Sequence, residues 1–517
     1  MTGLCILSPV HERRYRRGGL YPPNVGSAFA ILALEVMDTP SFGRIKIKVS
    51  DKQVTRENVV DVINRALPYH DVNSMNCERL YNIYTGKQAI LDRVKRFRPE
   101  INNKVSINHA NEIVSFKTSY LLFAPIIYVA RGGADAVDET LTAKVAQLNS
   151  MMALADKASH DMRLATKMNI AGHAYRMALP VANFNAEDGT PPFEIFTLDP
   201  RTTFIVHNSG LGEKPICGVT YVDRRILVGD TGNYTNKRVY SVYTPTEYFE
   251  VMDGKVIHAE PHNLGDIPIV EYINNDARLG SFEIVESILD AINTLASNRV
   301  DATEQTVQSI MVFVNCDIDK DKFQEIREQG GIKLRSVEGM PSEIKLLTAD
   351  LKQADQQVLM DSLYNQLLFI TGMPSQSTGG GSDSSNNGAT IVRNGWYNAE
   401  ARAKETDTLW SASENKLRKI VLRICREYDV LDLKPAFVTD KFTRRNYEDL
   451  LARSQVLTTM LNNPKIAPHT AYVSSAMFPD PEEAYGEWVK WAKDHPEQTE
   501  TAPEITKENE NTDTKET

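Results

Sequence analysis

The stretch from Leu351 to Tyr428 constrains this chain most, because it holds two long helical patterns joined by TGMPSQSTGGGSDSSNNGAT, residues 371–390. The core of that joint, Gly379 to Gly388, has no apolar side chain. It has nothing to bury, and ordering it costs much backbone entropy. Pro374 closes the first helix, since the residue before a proline is pushed out of the α region. The second pattern runs without proline from Ala389 to Tyr428, with Gly395 as a place to bend. At about 1.5 Å per residue it spans roughly 60 Å if straight.

A further long helical pattern lies upstream, over Ser281 to Phe313. Val285, Ile288, Ile292, Leu295, Val300, Val307, Ile310 and Val314 form its apolar seam, and Glu286, Asp290, Asn293, Asn298, Asp301 and Gln305 its polar face. Residues 314–350 read as a small α/β insertion with a short helix, Lys320 to Gln329, ended by Gly330-Gly331. Two long helices therefore flank a small subdomain and must lie close together. A two-helix layer has no third side on which to bury its seams. Repetition around an axis would cover them, and heterologous contacts that close generate a ring. A ring with a helical barrel on its axis is the expected assembly.

The rest of the chain reads as α+β, mainly α. Val54 to Leu67 and Met75 to Tyr84 look helical, as does Asn102 to Tyr128 until Pro125 stops it. Helical patterning continues from Leu141 to Ala178, interrupted at Gly172. The period then shortens. Phe193–Leu198, Thr203–Val206, Ile216–Val222, Arg238–Tyr243 and Glu247–Met252 are rich in β-branched and aromatic residues and separated by turn signals, as antiparallel strands would be. Met252-Asp253-Gly254-Lys255 is the clearest hairpin signal. Helices return over Asn446–Leu461, Pro468–Met477 and Pro481–Lys493. The acidic tail from Glu497 is expected to be disordered, and residues 1–50, with the basic patch His11 to Arg17, to be a mobile arm.

A net charge of −10 argues against a general DNA-binding surface. The five scattered cysteines fit neither a zinc spacing nor a disulfide framework, and no apolar run reaches membrane-spanning length. With no signal-peptide order at the N-terminus, a soluble protein made in a reducing cytoplasm is expected. No nucleotide or hydrolase signature stands up: Gly379-Gly380-Gly381 lacks the phosphate-loop lysine and a preceding strand, and Gly210 to Lys214 is too short for that pattern. His160 and His173 read as helix or core histidines. Asp317, Asp319, Asp321 and Glu328 copy four positions of a calcium loop, but Lys322 and Phe323 stand where it needs glycine and a small residue. A capped, solvated helix start is the reading there. Trp396, Trp410, Trp488 and Trp491 read as packing residues. The run Lys416, Arg418, Lys419, Arg423, Arg426 reads as a solvated or intersubunit face, with DNA contact the alternative. No catalytic, cofactor or metal residue is assigned.

Three segments in order carry a resemblance: NNKVSINHANEIVSFKTSYLLFAPIIY, GDIPIVEYINNDARLGSFEIVESILDAIN, and TGMP followed by the polar loop and a tryptophan. Together, over Ile101 to Pro496, they resemble tailed-bacteriophage portal proteins of the Gp6-like (SPP1-type) group. The first fifty residues have no counterpart, and Phe123 stands where the family more often has glycine. The resemblance implies a ring, usually dodecameric, at one capsid vertex of the virion. Double-stranded DNA is driven in through it by terminase and later leaves through it. It implies contacts with the terminase large subunit, head–tail adaptor, major capsid and scaffolding proteins, and assembly in a host bacterial cytoplasm. By segment it implies a wing over 51–280, a stem helix over 281–313, a clip over 314–350 and a second stem helix over 351–371. A tunnel loop over 372–388, a long wing helix over 389–428 and a crown over 439–494 follow, then the tail over 495–517. The DNA-facing loop residues are then Ser375, Gln376, Ser377, Thr378, Ser382, Ser384, Asn386 and Asn387, and the clip contacts Lys320, Lys322 and Arg327. A capsid-associated adaptor with no conduit role is the alternative.

Overall fold

The computed structural model describes residues 43–96, 98–131, 139–228, 233–307, 310–314, 343–347, 353–375, 395–444, 450–475, 477–478 and 481–495. After a short strand, β1 (Lys48–Val49), comes the 26-residue helix α1 (Val59–Tyr84), which runs through Pro68 rather than breaking into two. Its buried residues Val59, Val62, Ile63, Ala66, His70, Asn73, Cys77 and Leu80 form one stripe on both sides of the proline. Packing along that stripe outweighs the roughly 3 kcal/mol an interior proline costs.

Helix α2 (His109–Leu121) is shorter than the helical spacing over 102–128 predicts. The Asn108 side chain caps it, accepting from the Asn111 N–H at 3.2 Å. Strand β2 (Ile127–Ala130) and helices α3 (Glu139–Leu154) and α4 (Lys157–Ala171) follow. The helical reading through Ala178 is corrected at Gly172. There φ is +81° and a Cβ would come within 2.0 Å of the Arg278 carbonyl oxygen, so only glycine fits. Beyond it β3 (His173–Pro180) is an almost fully buried strand despite helix-forming Ala, Met and Leu, because it is flanked on both edges.

The β region comprises β4 (Phe193–Leu198), β5 (Thr203–Asn208), β6 (Pro215–Val228), β7 (Asn233–Tyr243), β8 (Glu247–Met252), β9 (Lys255–Pro261) and β10 (Ile269–Ile273). One sheet has the order β1-β5-β6-β7-β8-β9, antiparallel except for the β1–β5 edge. A smaller antiparallel sheet has the order β10-β3-β4. The β8–β9 hairpin turns at Asp253 and Gly254, both with positive φ as its Asp-Gly sequence predicts.

Helix α5 (Glu286–Val307) ends earlier than the apolar seam suggests. Ile310–Val314 is instead strand β11, antiparallel to β12 (Glu343–Leu347). The run IMVFV is β-branched and aromatic, and a short apolar run fits either period until a partner strand decides. Then come α6 (Gln353–Thr371), the 32-residue α7 (Trp396–Glu427), β13 (Val438–Lys441, paired with β2), α8 (Leu450–Leu461), α9 (Pro468–Ser475) and α10 (Pro481–Asp494). Gly395, with φ +80°, caps the start of α7 rather than bending it.

Three cores carry most of the burial. Helix α1 covers the larger sheet through Val59, Ile63, Phe204 and Phe249. Helices α4 and α7 pack side by side on one face of the smaller sheet through Leu164, Tyr272, Trp410 and Leu417. The third gathers Leu80, Ile113, Leu289, Ile292 and Leu367 from α1, α2, α5 and α6, with Phe282 just before α5 and Met373 just after α6. Cys77, Cys217 and Cys425 are buried free thiols. The terminal arm, the segment Lys320–Gln329 expected from the sequence to be a short helix, with the calcium-like acidic run, and the acidic tail lie outside the described residues.

Candidate functional site

The point where α6 ends and α7 begins is built with care. The Gly372 N–H donates to the Phe369 carbonyl at 3.2 Å and the Met373 N–H to the Leu368 carbonyl at 2.9 Å, with Gly372 at φ +73°. This is a Schellman stop, sealed by burial of Met373 beside Leu368 and followed at once by Pro374. A Cβ on Gly395 would lie 3.8 Å from Pro374 Cα, so the described residues on either side of the loop segment sit side by side. Trp396 pins the return, its ring 6.2 Å from Phe116 and 6.0 Å from Tyr120. Of the loop residues named from the sequence, half-buried Ser375 is at this root. Gln376, Ser377, Thr378, Ser382, Ser384, Asn386 and Asn387 lie outside the described residues, as do Lys320, Lys322 and Arg327.

Helices α5 and α6 run antiparallel. Arg299 of α5 donates to Gln357 of α6, while Leu289 and Ile292 share a core with Leu367 and Leu368. The β11–β12 ribbon joins their far ends. The inner face of α6 is thereby buried, and the outer one keeps Val358 69% and Phe369 77% exposed, with Leu359 and Ile370 also open to solvent.

The polar face of α5 receives the segment before α2. Asn103, Val105 and Ile107 donate their N–H groups to Asp301 Oδ1 (2.8 Å), Ser297 Oγ (2.9 Å) and Asn293 Oδ1 (2.7 Å). These acceptors are spaced four residues apart on one buried stripe, and Asp301 also pairs with Lys95 and Arg93. The strap explains why residues 102–107 are not helical: the N–H groups of Asn103, Val105 and Ile107 are satisfied by α5 instead of by their own turn.

Helix α7 is fastened by a buried charge network. Glu414 accepts from the Tyr128 and Tyr272 hydroxyls, each at 2.6 Å, and pairs with Lys157 at 3.2 Å and Arg176 at 3.5 Å. Asp161 closes the circuit, pairing with Lys157 at 2.7 Å and with Arg176. Burial pushes the Glu414 carboxyl up, but Lys157, Arg176 and the two phenols hold it below the usual carboxylate range. One helical turn on, Arg418 is buried against Asp440 and Asn415. The reading of Arg418 as part of a solvated basic face is thus corrected. Lys416, Lys419, Arg423 and Arg426 are exposed on the other side of α7, and Arg426 pairs with Asp432 at 3.1 Å. Trp410 packs edge-on against Tyr272 in the core. Sequence inspection did not find this network, whose members lie on five elements; Glu414 standing within the apolar stripe of α7 was the available signal.

A second buried cluster sets the pH response. Burial lowers the His173 and His207 imidazoles to about 4, against the pull of nearby Glu271, and lowers His70 to about 4 as well. Burial would raise the Glu271 carboxyl, but two hydrogen bonds from Arg278 and its charge hold it at about 2. Between pH 6.5 and 4 the unfolded chain binds more protons at these histidines than the folded one, so stability falls as pH falls through that window. The loss is on the order of 3 kcal/mol per histidine. The Glu271 contribution is lost lower, from about pH 4.5 towards 2. The urea midpoint should therefore drop steadily from pH 7 to 4; a flat profile there would contradict the burial of neutral imidazoles.

Among the described residues no group of three or more His, Cys, Asp or Glu is placed to hold a metal, and no helix is long and apolar enough to cross a membrane. No curated protein matches the chain. The family model for phage portal protein, SPP1 Gp6-like, matches residues 66–510, most of the sequence. That span takes in the β region, the antiparallel helix pair, the loop root and the Glu414 network together, and so the chain belongs to the SPP1 Gp6-like family of phage portal proteins.

Proposed function

We propose that this portal protein closes into a ring at the unique vertex of a tailed-phage capsid, that terminase drives double-stranded DNA in through its channel, and that the DNA later leaves the same way. Its role as a structural, non-catalytic portal component of the virion follows from family membership. The observation that carries the finer reading is the α5–α6 pair, closed on one face and open on the other at Val358 and Phe369. A neighbouring subunit covers that face in a ring, and twelve copies would follow the family habit. In this reading 281–313 and 351–371 are stem, 314–350 the clip that meets terminase and the head–tail adaptor through Lys320, Lys322 and Arg327, and 439–494 the crown. Residues 51–280 and 389–428 form the wing, whose outer surface meets capsid and scaffolding proteins.

The tunnel loop over 372–388 reaches into the channel from the root at Ser375. Its sequence offers serine, threonine and asparagine, with no cation to grip phosphate and no aromatic to stack on bases. A ring of such loops, in a chain of net charge −10, touches passing DNA without holding it; a basic channel would bind by counterion release and resist sliding. Deleting Ser377 to Asn387 tests this. Rings should still form in electron micrographs, while packaged or retained DNA falls at least severalfold. Full-length DNA in particles carrying the deletion would reduce the loop to a connector. A protein that never forms rings with a central hole would sink the conduit itself and leave an adaptor.

A further inference from the structure

A cavity of about 400 Å³ lies between α2, the turn before α5, the end of α6 and the first turns of α7, with Phe116, Lys117, Asn275, Thr371, Arg402 and Glu405 in its wall. Two cations face it, half-buried Lys117 from α2 and exposed Arg402 from α7, and among the described residues neither side chain has an ion pair or hydrogen bond. The neighbouring carboxamides are committed elsewhere. Asn169 bonds Thr118 and Ser281, Asn274 bonds Leu279 and Ser281, and Asn275 bonds Leu279 in both directions. The Thr371 hydroxyl donates to its own helix. The carboxylates in the wall, Asp276 and Glu405, are on exposed residues and pair with neither cation. Burial first, and then the Arg402 charge, lowers the Lys117 ammonium to about 8, with no described carboxylate compensating it.

We propose that the Lys117–Arg402 cavity is a binding site for a phosphate-type oxyanion, either free or carried on a nucleic-acid backbone. A tetrahedral dianion suits such a pair chemically: guanidinium offers a two-pronged donor and ammonium a point charge. The cavity has the volume of a small-ligand site, so ester-linked neighbours of the phosphate also fit. The inference is independent of the ring, since one subunit supplies every residue.

The test uses the full chain, with inorganic phosphate or sulfate titrated at constant ionic strength. Phosphate should broaden its own ³¹P resonance and raise the thermal midpoint with concentration. Lys117→Met and Arg402→Met should each weaken that affinity roughly tenfold or more, the scale of a lost charge-assisted hydrogen bond, and the exposed-site control Lys419→Met should not. Sulfate, whose charge is constant in this range, should bind less tightly in the unmutated protein as pH rises through about 8 and Lys117 loses its proton. That readout needs no variant to fold. Displacement of bound phosphate by a short DNA duplex identifies backbone phosphate as the source, and failure to displace identifies free phosphate. Phosphate binding that is absent, or equal in wild type and Lys117→Met, overturns the site whether or not rings form.

Discussion

Glu414→Ala should lower the stability of the folded subunit by about 3–5 kcal/mol, the cost of breaking a buried ion pair by removing one partner. Glu414 is fully buried, and its two oxygens serve Tyr128, Tyr272, Lys157 and Arg176. Without it, two buried cations share Asp161 alone, and two phenol hydroxyls lose their acceptor. Glu414→Gln keeps the shape and an acceptor oxygen but not the charge, and should fall between wild type and alanine. The measurement is the denaturation midpoint at fixed protein concentration and pH 7.5. A double variant that also removes the cation, Glu414→Ala with Arg176→Met, should lose less than the sum of the singles, because the orphaned charge goes with its partner. A Glu414→Ala midpoint equal to wild type would mean that the network does not hold α7 to the smaller sheet. The link to function is mechanical. Glu414 and Arg418 fix α7 against β2, β3, β10, α4 and β13, and α7 carries the downstream root of the loop at Gly395.

Local chemistry made much of this architecture readable. The strands Phe193–Leu198 and Glu247–Met252 lie where alternation and turn residues put them, and the Asp253-Gly254 turn follows from two residues tolerant of positive φ. The stop of α6 at Thr371 was legible because Gly372 and Pro374 mark it without help from the rest of the chain. Distant partners decided what was missed. Pro68 reads as a break until the buried stripe on both sides of it is seen, and His173–Pro180 reads as helix until β10 and β4 flank it. Ile310–Val314 continues a helical seam by spacing and becomes strand only beside Glu343–Leu347. Arg418 shows the same limit at the side-chain level. It sits among exposed basic residues in the sequence, but two positions separate it from Lys416 on a helix, enough to turn it from solvent to Asp440. The loop-root geometry could be anticipated from TGMP, whereas the pairing of Lys117 with Arg402 across one cavity could not, since their positions are 285 residues apart by subtraction of the two numbers.

Putting aspartate at both Val358 and Phe369 should abolish ring assembly while leaving the subunit folded. Both side chains are largely exposed in the single chain, so replacing them changes intramolecular packing little and the thermal midpoint of the subunit should move by only a degree or two. In a ring the same side chains pass into an interface, where covering a valine and a phenylalanine contributes roughly 1.5–3 kcal/mol each. Two carboxylates there forfeit that gain and add a desolvation penalty at every subunit contact. Because each subunit in a closed ring makes the contact, the loss is repeated around the circle, and closure, which needs all of the contacts, fails first. Light scattering at micromolar concentration should give the mass of a ring for the unmutated chain and of a monomer for the double variant. Leu211→Asp is the matched control, since Leu211 is a fully exposed apolar residue in a strand-connecting turn well outside the helix pair. Retention of the ring by Val358→Asp/Phe369→Asp would show that the open face of α6 is not where subunits meet. Monomer from the Leu211→Asp control as well would show that added charge, not the face, governs assembly.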